Sequence, residues 1–195
     1  FPGAAGAITI EDIDKAEEAI KNSSIFLTQL EAPEDVVSYA LKKAHNLNVK
    51  TILNPAPAAE IDEYLFSMID YFTPNETEAS FYVDHNVETH EDADKAAMQL
   101  LEKGIKNVVI TLGEKGAFFA NSEEKFSLPI ANLSNPVVDT TGAGDAFNAG
   151  FAAALTEGQN IKDALKFASA TAGLSTTKIG TANSMPSREE IDKLL

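Results

Sequence analysis

One stretch of the sequence combines glycines, hydroxyls and carboxylates in a pattern suited to phosphate chemistry. Residues 138–151 read Val-Asp-Thr-Thr-Gly-Ala-Gly-Asp-Ala-Phe-Asn-Ala-Gly-Phe. Gly142 and Gly144 allow the backbone to turn tightly and to come close to a ligand. The Ala-rich apolar run that follows predicts a buried helix over residues 146–155, whose first amides would point outward at the positive end of the helix dipole. Such a helix start favours the binding of an anion, most often phosphate.

Asp145 lies at the same predicted helix start. A carboxylate there can take a proton from a hydroxyl that attacks a phosphate. For an isolated Gly-x-Gly-Asp, a capping aspartate after a glycine turn would be the simpler interpretation. The functional interpretation is favoured because Asp139, two threonines, two glycines and Asp145 occur together.

The elements that must position this turn form an alternating pattern. Apolar runs predict buried strands at 24–30, 49–53, 70–73 and 108–112, and 117–120 with 125–128 predict an antiparallel edge pair. Helical spacing predicts helices at 10–21, 33–45, 61–69, from 76, at 91–103, 160–175 and from 187. The pattern predicts a single α/β domain over residues 1–195, a mostly parallel sheet with helices on both faces. Ligands of such sheets bind beyond the carboxyl ends of the strands, which selects Glu31, Asn54, Asn75, Gly113 and the glycine turn.

Two of these strand ends carry further candidate sites. Asn75 and Glu78 are spaced to share one helical face and suit Mg²⁺, although a helix cap followed by a first-turn acid has the same pattern. The loop Thr111, Leu112, Gly113, Glu114, Lys115 and Gly116 can wrap a nucleotide, or form an ordinary strand-to-hairpin turn. It is not the phosphate loop of P-loop NTPases, because Gly-x-x-x-x-Gly-Lys-[Ser/Thr] is absent, and no dinucleotide-binding Gly-x-Gly-x-x-Gly follows the first strand.

A second polar loop follows the helix predicted at 160–175. Together with Asp139 and Thr141, it offers oxygens for a weakly bound cation such as K⁺; a solvated loop is the alternative. The loop residues concerned are Ser175, Lys178, Gly180 and Ser184.

The overall composition excludes several classes of function. The formal net charge is −15, without a cluster of Lys or Arg, which argues against nucleic acid and anionic membranes as partners. The absence of cysteine excludes disulfides, thiolate catalysis and Cys-based zinc sites. No apolar run reaches the length of a membrane span, so a cytoplasmic protein is expected.

Taken together, these motifs resemble the carboxyl-terminal two-thirds of the ribokinase-like, or PfkB-type, sugar kinases. Residues 139–150 match the second signature of the family at nearly every position, and residues 53–58, 73–78 and 111–113 match in the same order. The resemblance implies a ribokinase-like three-layer α/β/α sandwich. It also implies ATP-dependent phosphorylation of D-ribose at its 5-hydroxyl to ribose 5-phosphate, with Mg²⁺ and K⁺ as cofactors.

The resemblance assigns a role to each site. Asp145 would be the general base, and the amides of Gly142, Ala143 and Gly144 would form an anion hole. Asn75 and Glu78 would arrange Mg²⁺ and the ATP phosphates, and Glu31 would contact the sugar. Residues 111–116, Gly144 and Ser169 would bind ATP, although Ser169 is smaller than the adenine-contacting residue often found there. The potassium ion would be surrounded by Asp139, Thr141, Ser175, Lys178, Gly180 and Ser184.

The sequence departs from the family pattern in one respect. The amino-terminal third, with its Gly-Gly sugar-binding motif and β lid, is missing, and the chain begins at Phe1 without an initiator Met. We therefore expect a fragment that is nearly inactive alone, from a parent that is a homodimer. The alternatives are another PfkB-type kinase, such as a fructokinase or adenosine kinase, and a nucleotide-binding fragment without catalysis.

Overall fold

The computed structural model describes residues 3–195. Its strands are β1 (Ile25–Thr28), β2 (Lys50–Leu53), β3 (Tyr71–Phe72), β4 (Asn107–Thr111), β5 (Ala117–Asn121) and β6 (Lys125–Leu128). Its α-helices are α1 (Ile10–Lys15), α2 (Glu17–Lys21), α3 (Glu34–Asn46), α4 (Glu76–Tyr82), α5 (His90–Glu102), α6 (Ala143–Thr156), α7 (Ile161–Ser175) and α8 (Arg188–Leu194). Short 3₁₀ turns occur at Gly3–Ala7, Glu63–Met68, Gly113–Lys115 and Ala182–Ser184.

The strands form one mostly parallel sheet in the order β1-β2-β3-β4-β5-β6. The pairs β1–β2, β2–β3 and β3–β4 are parallel, with Ile25 opposite Lys50, Ile52 opposite Tyr71, and Tyr71 opposite Asn107. The connections from β4 to β5 and from β5 to β6 are too short for parallel crossovers, so these strands run antiparallel. The predicted α/β fold with a mostly parallel sheet is confirmed.

The chain divides into two compact units. The first comprises the residues up to Leu112, together with Phe118–Phe126. Its core packs α3, α4 and α5 against the sheet through side chains such as Val37, Ala79, Leu100 and Phe72. Residues 108–110 of β4 are all fully buried, and because alternate residues of a strand point to opposite faces, both faces of β4 are covered.

The second unit comprises Gly113–Ala117 and Ser127–Leu195. Within it, α6 and α7 come so close that a Cβ added at Gly150 would lie 2.6 Å from the Thr171 hydroxyl oxygen. Helix α8 packs against α7, and the Arg188 guanidinium lies 4.9 Å from the centre of the Phe167 ring. The prediction that all 195 residues form a single domain stays a prediction.

The predicted and observed elements differ at three places in the first unit. The helix expected at 10–21 is two helices separated at Ala16, whose amide is shared between the carbonyls of Asp12 and Ile13 in the manner of a tighter turn. The helix expected at 61–69 is the 3₁₀ turn Glu63–Met68, which buries Leu65 and Phe66. The strand expected at 70–73 has only two paired residues.

None of the helices within residues 3–195 is both long and apolar enough to cross a bilayer.

Candidate functional site

In the second unit, the structure joins the two polar loops that the sequence singles out. The backbone amides of Val138 and Asp139 donate to the Thr176 carbonyl at 2.8 and 3.1 Å. The Asp139 carboxylate then accepts from the Thr141 amide at 2.9 Å and from the Gly180 amide at 3.0 Å. Asp139 therefore fixes both the glycine turn and the loop after α7.

These hydrogen bonds also determine the charge of Asp139. The Gly180 and Thr141 amides stabilise the carboxylate and lower its pKa to about 2. Asp139 is thus ionised at neutral pH. A negative charge held between two loops suits a cation ligand, and cation binding here stays a prediction.

The side chains of three other predicted potassium ligands, Ser175, Lys178 and Ser184, are bonded to other groups of the protein. The buried Ser175 hydroxyl donates to the Ala172 carbonyl at 2.7 Å, and the buried Ser184 hydroxyl donates to the Thr181 carbonyl at 2.6 Å. Lys178 forms an ion pair with Glu190 at 3.0 Å. Residues 3–195 contain no group of three or more His, Cys, Asp or Glu side chains suited to a metal ion. A cation in this loop would therefore depend on backbone and hydroxyl oxygens together with Asp139.

Helix α6 is present as predicted, but it begins at Ala143, three residues before the predicted start at 146, so Gly144 and Asp145 lie in its first turn. Gly142 is its N-cap, with φ +78°, and Asp145 lies exposed in its first turn. The Ala143 amide donates to the Thr140 carbonyl at 3.1 Å, so it would have to exchange this partner to bind phosphate. The first-turn amides of a helix have no partners within the helix, and α6 presents such a turn beside a carboxylate.

Three glycines in this unit differ in how much space a Cβ atom would have at their positions. Gly116 has φ +90°, and a Cβ there would lie 2.0 Å from the Leu128 carbonyl oxygen, so the path of the chain requires it. Gly142 also has a positive φ, and its Cβ would lie 3.2 Å from Cγ2 of Thr181. A Cβ on Gly144, in contrast, would meet no atom within 4 Å outside its own turn of helix. The space beside Gly144 is open for a molecule that is not part of the chain.

In the first unit, the predicted magnesium pair forms a capping box at the start of α4. The Asn75 side-chain oxygen accepts from the Glu78 amide, and the Glu78 carboxylate accepts from the Asn75 amide and side-chain nitrogen, each at 2.9 Å. Burial raises the pKa of Glu78. The residues are therefore brought together as the spacing predicts, but they bond to each other, and a role in holding Mg²⁺ stays a prediction.

Asn75 and Thr111 are neighbours at the edge where the strands end. They form a parallel bridge, and the Thr111 amide donates to the Pro74 carbonyl at 3.0 Å. Asn54 ties the next strands together at the same edge, because its side chain accepts from Gln29 at 2.9 Å and donates to the Thr73 carbonyl at 2.9 Å. Glu31 is exposed in the turn after β1, and its contact with a sugar stays a prediction.

The predicted nucleotide loop is a short 3₁₀ turn. Gly113, Glu114 and Lys115 form the turn, which is closed by a bond from the Gly116 amide to the Gly113 carbonyl at 3.1 Å, whereas Leu112 is fully buried. An adenine contact would involve the surface or backbone of this turn, and this contact stays a prediction.

Ser169, on α7, has a structural contact that the sequence does not reveal. Its hydroxyl accepts from the Ala131 amide at 3.2 Å, and two residues later Leu133 packs over Gly173 of the same helix. Ser169 thus holds the segment after β6 on α7. Its contact with adenine stays a prediction.

Sequence reasoning missed two residues that bond to the segment around the glycine turn: Thr176 through its carbonyl, and Asn148, whose side chain donates to the Gly144 carbonyl at 2.9 Å. Only Asn148 leaves a signal in the sequence, because it is a polar residue within an apolar helical run.

Comparison with known proteins gives a consistent result. A family described as "pfkB family carbohydrate kinase" matches residues 1–188. The ribokinase of Haemophilus influenzae is 41% identical over 178 residues, which are 91% of this chain and 58% of that protein. The deoxyribokinase of Salmonella typhi is 35% identical over 194 residues, which are 99% of this chain and 63% of that protein.

A similar fold occurs in a solved structure, Arabidopsis thaliana ribokinase complexed with ribose and ATP. The TM-score is 0.88 at 35% identity, and the match covers 93% of this chain and 58% of that one. The chain therefore spans about three-fifths of the length of the relatives that it matches.

Proposed function

This chain belongs to the pfkB family of carbohydrate kinases, and on that basis we propose that the protein containing it transfers the γ-phosphoryl group of ATP to the 5-hydroxyl of D-ribose. The observation that carries the proposal is the start of α6. It combines a helix start, open space beside Gly144 and an exposed carboxylate at Asp145. A site that only binds phosphate gains nothing from a carboxylate there, because like charges repel. A site that deprotonates an attacking hydroxyl requires one.

In this proposal, Asp145 takes the proton of the 5-hydroxyl as the new O–P bond forms and the bond to the β-phosphate oxygen breaks. The amides at the start of α6 face the charge that develops on the transferred phosphoryl oxygens. The Ala143 amide exchanges its bond with the Thr140 carbonyl for one to phosphate, while Gly144 gives the phosphoryl group room to approach. ATP supplies the transferable phosphoryl group.

The charges of the second unit favour a divalent cation as a partner of ATP. Asp139 and Asp145 bring two negative charges to the glycine turn, and the single arginine of the chain, Arg188, is bonded to Glu157 and Asp192 instead. Lys178 is paired with Glu190. We propose that Asn75 and Glu78 arrange Mg²⁺, whose charge offsets that of the triphosphate. We further propose that K⁺ binds at Asp139, Thr141 and the loop containing Ser175, Lys178, Gly180 and Ser184.

The proposed sugar follows from the relatives of this chain. Ribokinase and deoxyribokinase are both similar to this chain, and their substrates differ in one hydroxyl group. We propose Glu31, exposed at the end of β1, as a sugar contact. Residues 111–116 and Ser169 are proposed to bind ATP. A homodimer and a cytoplasmic location stay predictions.

The test uses the full-length protein with ATP and, in separate reactions, ribose, 2-deoxyribose, fructose and adenosine. Ribose is expected to give the highest kcat/KM; fructose or adenosine as best substrate would identify a different kinase. Asp145→Asn should lower kcat by about 10²–10⁴ while ATP still binds, because general-base catalysis contributes about this much. If Asp145→Asn keeps its kcat, the assigned base is wrong.

A second reaction uses the 195-residue chain by itself. We expect turnover far below that of the full-length protein, because positioning and water exclusion need a more complete enclosure of the sugar. Turnover at ordinary kinase rates would contradict this expectation.

A further inference from the structure

Asn54 is a buried polar residue directly beyond the carboxyl end of β2. It is 7% exposed, although it lies at the edge of the sheet where ligands of α/β proteins bind. A buried amide costs free energy unless its polar atoms are bonded. The Asn54 side-chain oxygen accepts from the Gln29 side chain, and its nitrogen donates to the Thr73 carbonyl, each at 2.9 Å. Asn54 therefore joins the end of β1 to the end of β3 across β2.

Backbone bonds attach the loop that contains Asn54 to the turn that contains Glu31. The Asn54 amide donates to the Thr28 carbonyl at 3.0 Å, and the Leu30 amide donates to the Ala56 carbonyl at 2.9 Å. The Ala56 amide donates to the Asn54 carbonyl at 2.8 Å, which closes a tight turn between these two attachment points. The segment that leads into Glu31 is thus bonded to residues 54–56 through both side-chain and backbone groups.

On its other side, Asn54 bonds to the segment that leads into the predicted magnesium pair. Thr73 lies two residues before Asn75, whose capping box with Glu78 begins α4. The Thr73 amide also donates to the Leu53 carbonyl at 3.0 Å, so this segment is attached to the end of β2 by backbone as well as by side chain. One buried amide therefore bonds to the segment before the proposed sugar contact and to the segment before the proposed magnesium pair.

We propose that Asn54 is a positioning residue, which sets the distance between the turn of Glu31 and the start of α4 and, with it, the distance between bound sugar and bound Mg²⁺–ATP. This inference rests on the proposed function, because Glu31 and Asn75 are ligand contacts only there. Phosphoryl transfer is sensitive to such a distance, since a misplacement of about 1 Å can cost about 10²-fold in rate. The polar atoms of the Asn54 side chain are bonded within the protein, so it acts through the two segments.

Asn107 provides a matched control at the opposite edge of the sheet. It is the first residue of β4 and has the same bonding pattern, because its side chain accepts from the Asn121 side chain at 3.1 Å and donates to the Asp70 carbonyl at 2.8 Å. Asn54→Leu and Asn107→Leu each replace a bridging amide by a side chain of similar size that cannot form hydrogen bonds. Only Asn54→Leu changes the edge at which the carboxyl ends of the parallel strands lie.

The kinetic test uses both variants in the full-length protein with ribose, ATP and Mg²⁺. We expect both to lower Tm, because each leaves the partners of an amide unbonded. Asn54→Leu should lower kcat at least tenfold, while the KM for ribose and the Mg²⁺ concentration for half-maximal activity change less than threefold, because the ligand contacts remain and only their distance changes. Asn107→Leu should keep its kcat within threefold of wild type.

Two kinetic results would overturn the proposal. One is an Asn54→Leu variant that keeps the kcat of wild type, and the other is an equal loss of kcat in the two variants, which would show that Asn54 is merely structural. If either Leu variant does not fold, the pair Asn54→Ala and Asn107→Ala replaces it, with the same expected results.

Amide hydrogen exchange separates this proposal from the proposed function. In the unliganded full-length protein, exchange at Leu30 should be at least tenfold faster in Asn54→Leu than in Asn107→Leu, because the Ala56 carbonyl that accepts from Leu30 belongs to the loop that Asn54 attaches. This readout needs no turnover. A protein that phosphorylates no sugar would refute the function alone, whereas equal exchange rates at Leu30 in the two variants would overturn the role of Asn54.

Discussion

Gly144→Ala should separate the demands of ligand binding from those of folding. The added methyl group meets no atom within 4 Å outside its own helical turn, and the residue lies in the first turn of α6. Replacing a helical glycine by alanine without strain stabilises a protein by about 0.4–1 kcal/mol. In a domain of about 150–250 residues that gain corresponds to a rise in Tm of roughly 1–4 °C, and in the longer full-length protein the rise is smaller.

The same substitution should damage the reaction. A methyl group beside the α6 amides occupies the space into which the phosphoryl group would move, and loss of one anion-hole donor costs about 10²–10³ in kcat. We expect kcat/KM for ATP to fall at least 10²-fold, which is about 2.7 kcal/mol of transition-state stabilisation. A more stable protein would then be a less active one.

The measurements are thermal unfolding and a coupled kinase assay on the full-length protein. Gly142→Ala is the comparison, because its φ of +78° and the 3.2 Å approach to Cγ2 of Thr181 predict a loss of stability of about 1–2 kcal/mol. If Gly144→Ala is stabilised but keeps its activity within threefold of wild type, no ligand approaches there and the reasoning is refuted.

Three further predictions concern the supporting contacts. The pKa of Asp139, about 2, lies below that of an unfolded aspartate, so the stability that its carboxylate contributes is present above about pH 4 and is lost as the pH falls toward 2. In thermal melts across this pH range, the Tm of Asp139→Asn should fall less than the Tm of wild type. An equal fall in the two Tm values would contradict this prediction. Asn75→Ala and Thr89→Ala each break a capping box, so each should lower the free energy of unfolding in urea by about 1 kcal/mol. Only Asn75→Ala should also raise the Mg²⁺ concentration needed for half-maximal activity. If the two variants need the same Mg²⁺ concentration, Asn75 is not part of the metal site. Gly116→Ala places a methyl group 2.0 Å from the Leu128 carbonyl oxygen, so it should destabilise the protein by more than about 2 kcal/mol. A variant with the Tm of wild type would show that the β5–β6 hairpin moves to make room for the methyl group.

Helices that begin at a recognisable pair of capping residues could be predicted from the sequence. The helices after Asn75, Thr89 and Ser187 begin at capping boxes whose partners lie three residues apart, and the sequence shows both partners. The break at Ala16 has no such signal, because alanine fits both a helix and the tighter turn observed there.

The site was predictable to the extent that side-chain types define it. The sequence places Asp139 and Gly180 in one predicted cation site, and the structure brings the Asp139 carboxylate within hydrogen-bonding distance of the Gly180 amide, whereas cation binding stays a prediction. The carbonyl of Thr176, which receives two amides, could not be predicted, because every residue has the same backbone groups and only the fold decides which of them meet. The bond between Asn75 and Glu78 shows the converse: the spacing predicts proximity, but not whether the groups face each other or a metal.

The strands lie in the sheet in the order in which a ribosome would make them, from β1 to β6. Within residues 3–195, each strand after β1 pairs with the one synthesised just before it, so none of these strands has to wait for a later segment to fill a gap between two others. Synthesis at about 5–20 residues per second leaves time for each strand to cover the edge that its predecessor exposes. Refolding from denaturant, in which all six segments compete at once, should therefore produce more aggregate than synthesis does.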